Sequence, residues 1–378
     1  MIPNQKDLFS IPAGVNFLNC ANMAPQLNAI TDAGLESVRQ KNTPWKIQSD
    51  DWFTNAERLR ALAAQLCNAS PEDMALIPAT SYGIAIAAQN VPVQAGQNIV
   101  LLAQEYPSNV YAWWELAQAH ALSITTVEKG ENGWTETILA AINSRTAVVS
   151  VPNCHWTDGS LIDLVQIGEK VRQVGACLIV DASQSLGAYP IDVKAVQPDF
   201  MVIVGYKWLI GPYAAGYFYV APRWQQGKPI ENSWLNRKGS EDFARLVDYQ
   251  PAYKAGARRY DTGEFPNFVL LPMAVAALEQ ILHWRIAEIQ ATLGQLTQRL
   301  ADSAASMGYQ VTTADQRVSH MVGIRSPQPF SPTLKDRLTR ENVFVGFRGD
   351  SIRVAPYLYN SPEDIDQLLR ILQETKNL

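Results

Sequence analysis

The sequence contains little cysteine and no long apolar run, and these absences narrow the possible classes of protein. Its four cysteines stand far apart without a paired CxxC spacing, which argues against a disulfide framework or a bound metal such as zinc. No run of about 18 apolar residues is present, so we expect no membrane-spanning segment. The first residues carry no apolar signal core, and together with the scattered cysteines they favour a cytoplasmic location.

Charge is also scarce. Charged residues make up 18% of the chain, and the net charge is −5. A weakly acidic chain has no basic field to attract nucleic acid or an anionic lipid surface, so we expect neither as a partner. Few charges on the surface favour a large buried interface. The 378 residues and the 47% hydrophobic fraction predict an ordered globular protein with a large core.

Short apolar segments alternate with stretches of helical spacing through much of the chain. Strand-like runs occur at 74–78, 98–102, 147–151, 177–180, 201–204 and 215–220, and helical spacing at 54–67, 84–88, 110–121 and 164–174. This alternation predicts an α/β fold with a mostly parallel sheet that helices cover on both faces. Ligands of such sheets bind at the carboxyl ends of the strands.

The pattern changes after the last of these strands. Residues 222–262 are polar and irregular, and residues 271–307 have helical spacing. Two short apolar runs, 321–324 and 351–354, and a helix that begins at Pro362 complete the chain. This part of the sequence predicts a smaller α+β domain.

Lys207 is the most informative residue, because it follows the apolar run 201–204 and precedes Gly211 and Pro212, which end regular secondary structure. Burying a lysine at a strand end costs solvation free energy, so we expect such a lysine to have a function. One such function is that of a neutral amine that condenses with an aldehyde. Asp181 ends an earlier apolar run and could hold a pyridine nitrogen protonated. Alone, Asp181 is more simply a turn aspartate; paired with Lys207, it predicts a pyridoxal phosphate pocket.

A third strand is followed by hydroxyl side chains. Residues 79–83 read Ala-Thr-Ser-Tyr-Gly and open a helix, where free backbone N–H groups and the hydroxyls of Thr80 and Ser81 suit a phosphate. An ordinary helix N-cap is the alternative, since Ser and Thr are preferred there in any case.

Two of these segments resemble a known family. Residues 180–184, Val-Asp-Ala-Ser-Gln, and residues 205–209, Gly-Tyr-Lys-Trp-Leu, are similar to the class V aminotransferase family of fold-type I pyridoxal phosphate enzymes. That family includes cysteine desulfurases, selenocysteine lyases, cystine lyases, isopenicillin N epimerase and kynureninase. The resemblance extends from about Phe17 to Leu372, and the Tyr-Lys pair within it is similar to that of kynureninase.

The resemblance implies an architecture and a set of partners. It implies a mostly parallel seven-stranded sheet with helices on both faces. It divides the chain into an N-terminal arm (1–16), a large cofactor-binding domain (17–260) and a small C-terminal α+β domain (261–378). It also implies pyridoxal 5'-phosphate as the cofactor, an amino acid as the substrate, and a homodimer whose active site lies near the subunit interface.

Roles for individual residues follow from the same resemblance. Lys207 would form the Schiff base with the cofactor, and Asp181 would pair with the pyridinium nitrogen. The other implied cofactor contacts are Gln184 at the ring hydroxyl, Thr80, Ser81 and Tyr206 at the phosphate, and Tyr106 on the ring face. For Tyr106, a half-buried loop aromatic is the alternative.

One loop departs from the family pattern. Residues 153–159, Asn-Cys-His-Trp-Thr-Asp-Gly, match a loop that usually places an asparagine near the ring hydroxyl. His155 or Trp156 occupies that place here, depending on the alignment. We include His155 among the expected cofactor contacts, with a purely structural histidine as the alternative.

Substrate binding is expected from the two ends of the chain. Arg353 begins a segment that is similar to the family's C-terminal segment, whose arginine grips the substrate α-carboxylate. A planar guanidinium suits that task because it donates two parallel hydrogen bonds. The alternative is a strand-edge arginine in a surface ion pair. Asn22 lies in an N-terminal segment that lines the same pocket in the family.

A further segment leaves the subunit contact open. Residues 259–267 resemble a segment that, in desulfurases, reaches the phosphate of the neighbouring subunit through a threonine after a glycine. Glu264 stands at that place here, and a carboxylate would repel phosphate. Whether residues from Glu264 to Asn267 reach the neighbouring site is not decided by the sequence.

The reaction is narrowed by a missing cysteine. Desulfurases carry a nucleophilic cysteine shortly before the C-terminal arginine, and residues 343–351 contain none. We therefore expect α-proton abstraction from a small or medium L-amino acid without a thiol. Transamination is narrowly preferred over β-elimination, racemisation stays open, and kynureninase-like hydrolysis comes third. A non-catalytic relative is least expected, since Lys207, Asp181, Gln184 and Arg353 are all present.

Overall fold

The computed structural model describes residues 1–376. The α-helices of this part are, in chain order, α1 (Asn28–Gln40), α2 (Thr54–Leu66), α3 (Thr80–Asn90), α4 (Tyr111–His120), α5 (Trp134–Ala141), α6 (Leu164–Val174), α7 (Val193–Val196), α8 (Leu270–Trp284), α9 (Ile286–Ser306), α10 (Pro332–Arg340) and α11 (Pro362–Thr375). The strands are β1 (Asn16–Phe17), β2 (Met74–Ile77), β3 (Asn98–Leu102), β4 (Ser123–Val127), β5 (Thr146–Pro152), β6 (Cys177–Asp181), β7 (Phe200–Val204), β8 (Gly216–Val220), β9 (Gln310–Val311), β10 (Val322–Arg325), β11 (Val343–Phe344), β12 (Gly346–Arg348) and β13 (Ser351–Val354).

The largest sheet has seven strands in the order β2-β8-β7-β6-β5-β3-β4, which confirms the predicted mostly parallel seven-stranded sheet. Strand β8 runs antiparallel to both of its neighbours, and the other strands all run in one direction. The carboxyl ends of β2, β3, β5, β6 and β7 therefore lie along one edge of the sheet.

Burial on both faces explains why these strands read as unbroken apolar runs. Along β6, Leu178 and Val180 pack into one core layer, while Cys177 and Ile179 pack into the layer on the opposite face. Side chains alternate across a strand, so a sheet covered on both sides needs an apolar residue at every position.

A second, antiparallel sheet has the order β12-β13-β10-β9 and packs its own core with α9, α10 and α11. It forms the predicted smaller α+β part. The N-terminal strand β1 pairs in parallel with β11, so the start of the chain is tied to this part. The domain boundaries at 16 and 260 stay predictions, and the last two residues of the range 261–378 lie outside the described residues.

Some elements differ from the predicted pattern. The helical stretch 271–307 is two helices, because Arg285 adopts a φ of +64° and ends α8 before α9 begins. The edge strand β4 was missed, since most of its residues are exposed or half-buried and its Ser-Ile-Thr-Thr-Val sequence is not an apolar run. Within residues 1–376, no helix has the length and apolar character needed to cross a bilayer.

Candidate active site

Five loops converge at the carboxyl edge of the large sheet. Thr80 follows β2, Tyr106 follows β3, Trp156 follows β5, Asp181 ends β6 and Lys207 follows β7. Because these strands are parallel to one another, residues far apart in sequence meet at a single edge, as expected for the ligand site of such a sheet.

Lys207 is buried at this edge, with 6% of its surface exposed. Its nitrogen lies over two tyrosine rings, 5.2 Å from the centre of Tyr106 and 5.8 Å from that of Tyr206. Burial lowers the pKa of the Lys207 amine to about 8, opposed by the charge of Asp181 and aided by Arg353 and Arg348. A minor but appreciable fraction of this amine, on the order of a tenth to a fifth, is therefore neutral and nucleophilic near physiological pH.

Asp181 lies beside Lys207 without a direct ion pair. Its Oδ1 accepts a hydrogen bond of 2.9 Å from the backbone N–H of Ser183. Burial raises the pKa of the Asp181 carboxyl, and the charge of Lys207 acts in the opposite sense. Among residues 1–376, no Lys, Arg or His side chain forms a salt bridge with Asp181. A buried carboxylate in this state is suited to a cation that enters with a ligand.

The N-terminus of α3 forms another wall. The Thr80 hydroxyl lies 3.3 Å from that of Ser183, which follows β6, and Ser81 is exposed beside it. Gly83 allows this helix to lie close to the sheet, because a Cβ there would come within 2.5 Å of a Val202 methyl on β7. The first N–H groups of a helix have no partner within it, so this end, with its two hydroxyls, has the donors that an anion requires.

Tyr106 and Trp156 form an aromatic corner. Their ring centres are 5.7 Å apart with an interplanar angle of 75°. The Trp156 indole N–H donates to the Gln104 carbonyl, which fixes the ring. The adjacent Glu105 is buried, and this burial raises the pKa of its carboxyl to about 8. Sequence reasoning missed Glu105, since an acid beside a loop aromatic is ordinary in a sequence.

Gln184 and Tyr206 are both connected to the segment that carries Lys207: Gln184 bonds to Trp208, the next residue, and Tyr206 is the preceding residue. The Gln184 amide donates to the Ala21 carbonyl at 3.0 Å and accepts from the Trp208 indole at 3.0 Å, so its side chain has a fixed orientation. Tyr206 is half-buried against Tyr213, and burial raises the pKa of its phenol to about 12. The Tyr206 hydroxyl thus stays protonated near neutral pH and can donate a hydrogen bond.

His155 has its ring nitrogens occupied within the protein. Nε2 lies 3.2 Å from the Ala103 carbonyl, Nδ1 lies 2.7 Å from the Thr157 hydroxyl, and the ring stacks on Trp134 at 4.9 Å. Burial lowers the pKa of His155, so the ring is neutral. Its cofactor contact stays a prediction, and this bonding favours the structural alternative. The next residue, Trp156, is the one that contacts Tyr106.

Arg353 is a buried charged residue of the pocket that has no acidic partner in the part of the chain that the structure describes. It is 1% exposed, yet no Asp or Glu within residues 1–376 forms a salt bridge with it. Its guanidinium donates to the Trp156 carbonyl at 2.8 Å and to the Asn19 side chain at 3.5 Å, while Nε is buried without a hydrogen-bond partner. Burial and the charge of Arg348 lower the pKa of Arg353 to about 9.

Glycine makes room for this arginine. Gly346 lies directly opposite Arg353 in the β12–β13 pair, and a Cβ at 346 would lie 3.4 Å from the arginine Nε. The strand-edge surface pair that the sequence left open for Arg353 is therefore absent from the described structure. A buried guanidinium with an unused donor has the charge and the hydrogen-bonding capacity to pair with an anion.

Asn22 is exposed at the rim, and its Oδ1 lies 3.4 Å from a terminal nitrogen of Arg348. Sequence reasoning singled out neither Arg348 nor Asn19. Glu264 is exposed with a φ of +55°, and its contact with a second subunit stays a prediction.

The residues present fit pyridoxal phosphate. An amine, a carboxylate without a basic partner and a helix N-terminus with two hydroxyls are the three groups that an aldehyde, a pyridine nitrogen and a phosphate require. Lys207, Asp181, and Thr80 with Ser81 provide them at one edge. The fold and these groups together define a pyridoxal phosphate enzyme of fold type I.

Comparison with known proteins gives the family. Residues 47–368 match the family model described as aminotransferase class-V, and the chain belongs to this family of pyridoxal phosphate-dependent enzymes. It is 28% identical over 345 residues to the uncharacterised aminotransferase YcbU of Bacillus subtilis, which covers 90% of this chain and 88% of the relative. It is 24% identical to the kynureninase of Geobacillus thermodenitrificans, over 90% of this chain and 86% of the relative.

A solved structure agrees with the fold. The apo cysteine desulfurase of Thermococcus onnurineus superposes with a TM-score of 0.85 over 100% of both chains, at 16% sequence identity. At this identity the likeness bears on the fold alone. The chain is therefore a class V pyridoxal phosphate enzyme whose relatives include aminotransferases, kynureninase and desulfurases.

Proposed function

We propose that this enzyme removes the α-proton of a small or medium L-amino acid and transfers its amino group, as an aminotransferase. The observation that supports this most strongly is Arg353, a buried arginine that has no acidic partner within residues 1–376. Its charge helps to lower the pKa of Lys207, so the two side chains lie close enough to interact. An α-amino acid has a carboxylate that could pair with Arg353 and an amine that could react at the cofactor site beside Lys207. Its α-carbon would then lie between the two groups.

The bound cofactor would supply an electron sink for the bond broken at the α-carbon. Asp181 would hold the pyridine nitrogen protonated, which maintains that sink. Thr80, Ser81 and Tyr206 would orient the group through its phosphate, and Gln184 through its ring hydroxyl. Tyr106 would cover one ring face, where it keeps water away from the reacting bond.

Lys207 would act as the general base. The neutral nitrogen of its free amine would accept the α-proton of the bound substrate. Its pKa of about 8 is close to the value at which a base is both unprotonated and able to bind a proton. The outcome depends on where Lys207 returns this proton, which decides between transamination and racemisation.

None of the four cysteines has the properties of a nucleophilic thiol. The cysteines at 20, 67, 154 and 177 are all buried, and burial raises the pKa of each thiol. A nucleophilic cysteine needs a lowered pKa and access to substrate. We therefore propose that the enzyme is not a cysteine desulfurase.

β-Elimination is the second candidate, since it uses the same base and the same carboxylate clamp. A panel of L-amino acids separates the two in one experiment. Transamination gives a 2-oxo acid and the pyridoxamine form of the cofactor, and it stops after one turnover unless a keto acceptor is added. Elimination gives pyruvate and ammonia from cysteine, cystine or serine continuously without an acceptor. If no amino acid gives either product, the proposed function is wrong.

We also propose a homodimer with the active site near the interface. Val247 and Tyr249 are 79% and 93% exposed in the single chain, and burying such side chains would favour association. Sedimentation analysis of the purified protein measures this directly, and a monomer at micromolar concentration would contradict it.

A further inference from the structure

A second arginine shares the pocket with Arg353, and its surroundings suggest a more specific substrate. Strands β12 and β13 are antiparallel neighbours in which Gly346 pairs with Arg353 and Arg348 pairs with Ser351. Directly paired residues project from the same face of a sheet, as do residues two apart along a strand. Arg348 and Arg353 therefore project from the same face, towards the large sheet.

Arg348, like Arg353, has no acidic partner within residues 1–376. Its guanidinium donates to its neighbour's carbonyl, that of Phe347, at 2.7 Å, and its Nε is buried without a hydrogen-bond partner. Its other contacts are the Asn22 amide oxygen at 3.4 Å and the ring of Trp156, whose centre lies 5.4 Å from the guanidinium carbon. These neutral groups hold the side chain in place and leave its charge uncompensated.

The two arginines are connected through one residue. Arg353 donates to the Trp156 carbonyl, and Arg348 lies over the Trp156 ring. The nearby acids Asp181 and Glu105 are buried, and neither forms a salt bridge with the two arginines within residues 1–376. One substrate α-carboxylate compensates only one of the two guanidinium groups.

We propose that Arg348 binds a second carboxylate, so that the substrate is a dicarboxylic amino acid of the aspartate or glutamate class. This rests on the proposed function for the amino acid itself. Arg353 takes the α-carboxylate close to Lys207, and Arg348, nearer the rim beside Asn22, takes the side-chain carboxylate. An anionic side chain offsets the repulsion between the two guanidinium groups, and a neutral one does not.

Binding of unreactive acids to the holoenzyme tests this without any chemistry. Calorimetric titration compares succinate with butyrate, and glutarate with valerate, which match in carbon number and differ in one carboxylate. At least one dicarboxylate is expected to bind about 10- to 100-fold more tightly than its monocarboxylate. Equal affinities in both pairs would overturn the proposal, and this comparison needs no variant.

Variants then assign the effect to Arg348. R348Q should remove the dicarboxylate preference and leave monocarboxylate binding unchanged, whereas R348K should keep part of it. R340Q, at an exposed arginine of α10, is the matched control and should keep all of it. If R348Q retains the full preference, Arg348 is not the second carboxylate site.

The amino-acid panel separates this failure from failure of the proposed function. If alanine and 2-aminobutyrate react as efficiently as aspartate and glutamate, the dicarboxylate proposal is wrong while the proposed function stands. If no amino acid reacts but dicarboxylates bind through Arg348, the proposed function is wrong.

Discussion

The amine nitrogen of Lys207 lies over the ring of Tyr106, 5.2 Å from its centre. Both residues come from loops at the same sheet edge, one after β7 and the other after β3, although about a hundred positions separate them in sequence. Asp181 and the N-terminus of α3 complete the same edge.

Arg353→Gln should raise KM for the amino-acid substrate about 100-fold and change kcat far less. The amide keeps a hydrogen bond but loses the charge and the second parallel donor, which act on the carboxylate before and during the reaction. Steady-state kinetics measure this, and an unchanged cofactor spectrum shows that the pocket is intact. An unaltered KM would mean that Arg353 does not bind the substrate.

Asp181→Asn should slow exchange of the substrate α-proton with solvent deuterium about 100-fold or more. The amide no longer holds the pyridine nitrogen protonated, so the electron sink weakens at the step where the α-proton leaves. Proton NMR in deuterated buffer follows the exchange. Asp336→Asn, at an exposed position of α10, is the control. Exchange at the wild-type rate would contradict the role of Asp181.

The strands that form the carboxyl edge of the large sheet could be predicted from the sequence, because each depends on a local apolar pattern. Each of β2, β3, β5, β6 and β7 is a short apolar run, and a sheet buried on both faces needs such runs. A polar residue directly after one of them is therefore positioned by the strand itself. The same logic failed for β4, whose exposed edge position does not require an apolar sequence.

The arginine side of the pocket could be predicted only in part. Arg353 lies on a strand that the sequence identified, but its burial depends on Gly346 across the β12–β13 pair and on the Trp156 carbonyl from the loop after β5 of the large sheet. Arg348 is placed by the same pairing. His155 and Trp156 are adjacent, and their separate environments follow from tertiary packing that no local pattern encodes.

Attachment of pyridoxal phosphate to the cofactor-free protein should become faster with rising pH and level off near pH 8. Burial lowers the pKa of Lys207 from 10.5 to about 8, so below that pH the neutral, reactive fraction grows about tenfold per pH unit. Stopped-flow absorbance measures the rate. Nα-acetyl-lysine is the control and should continue to accelerate to about pH 10. If the rate for the protein rose with pH in the same way as that for Nα-acetyl-lysine, the pKa of the Lys207 amine would not be lowered.

Iodoacetamide should leave the native enzyme active. All four thiols are buried with a raised pKa, so none is an accessible thiolate. Mass spectrometry should find no modified cysteine under conditions that alkylate all four in protein unfolded with guanidinium. Rapid labelling of a single cysteine together with loss of activity would reopen thiol-based desulfuration.

The central claim is that Lys207 carries the cofactor, and borohydride reduction of the holoenzyme tests it most directly. Reduction fixes the Schiff base, and peptide mapping by mass spectrometry locates the attached pyridoxyl group. We predict that it lies on Lys207 and is absent from Lys207→Ala, while Lys194→Ala, at an exposed lysine, is labelled at Lys207 like the wild type. A pyridoxyl group on another lysine, or none at all, would contradict the account.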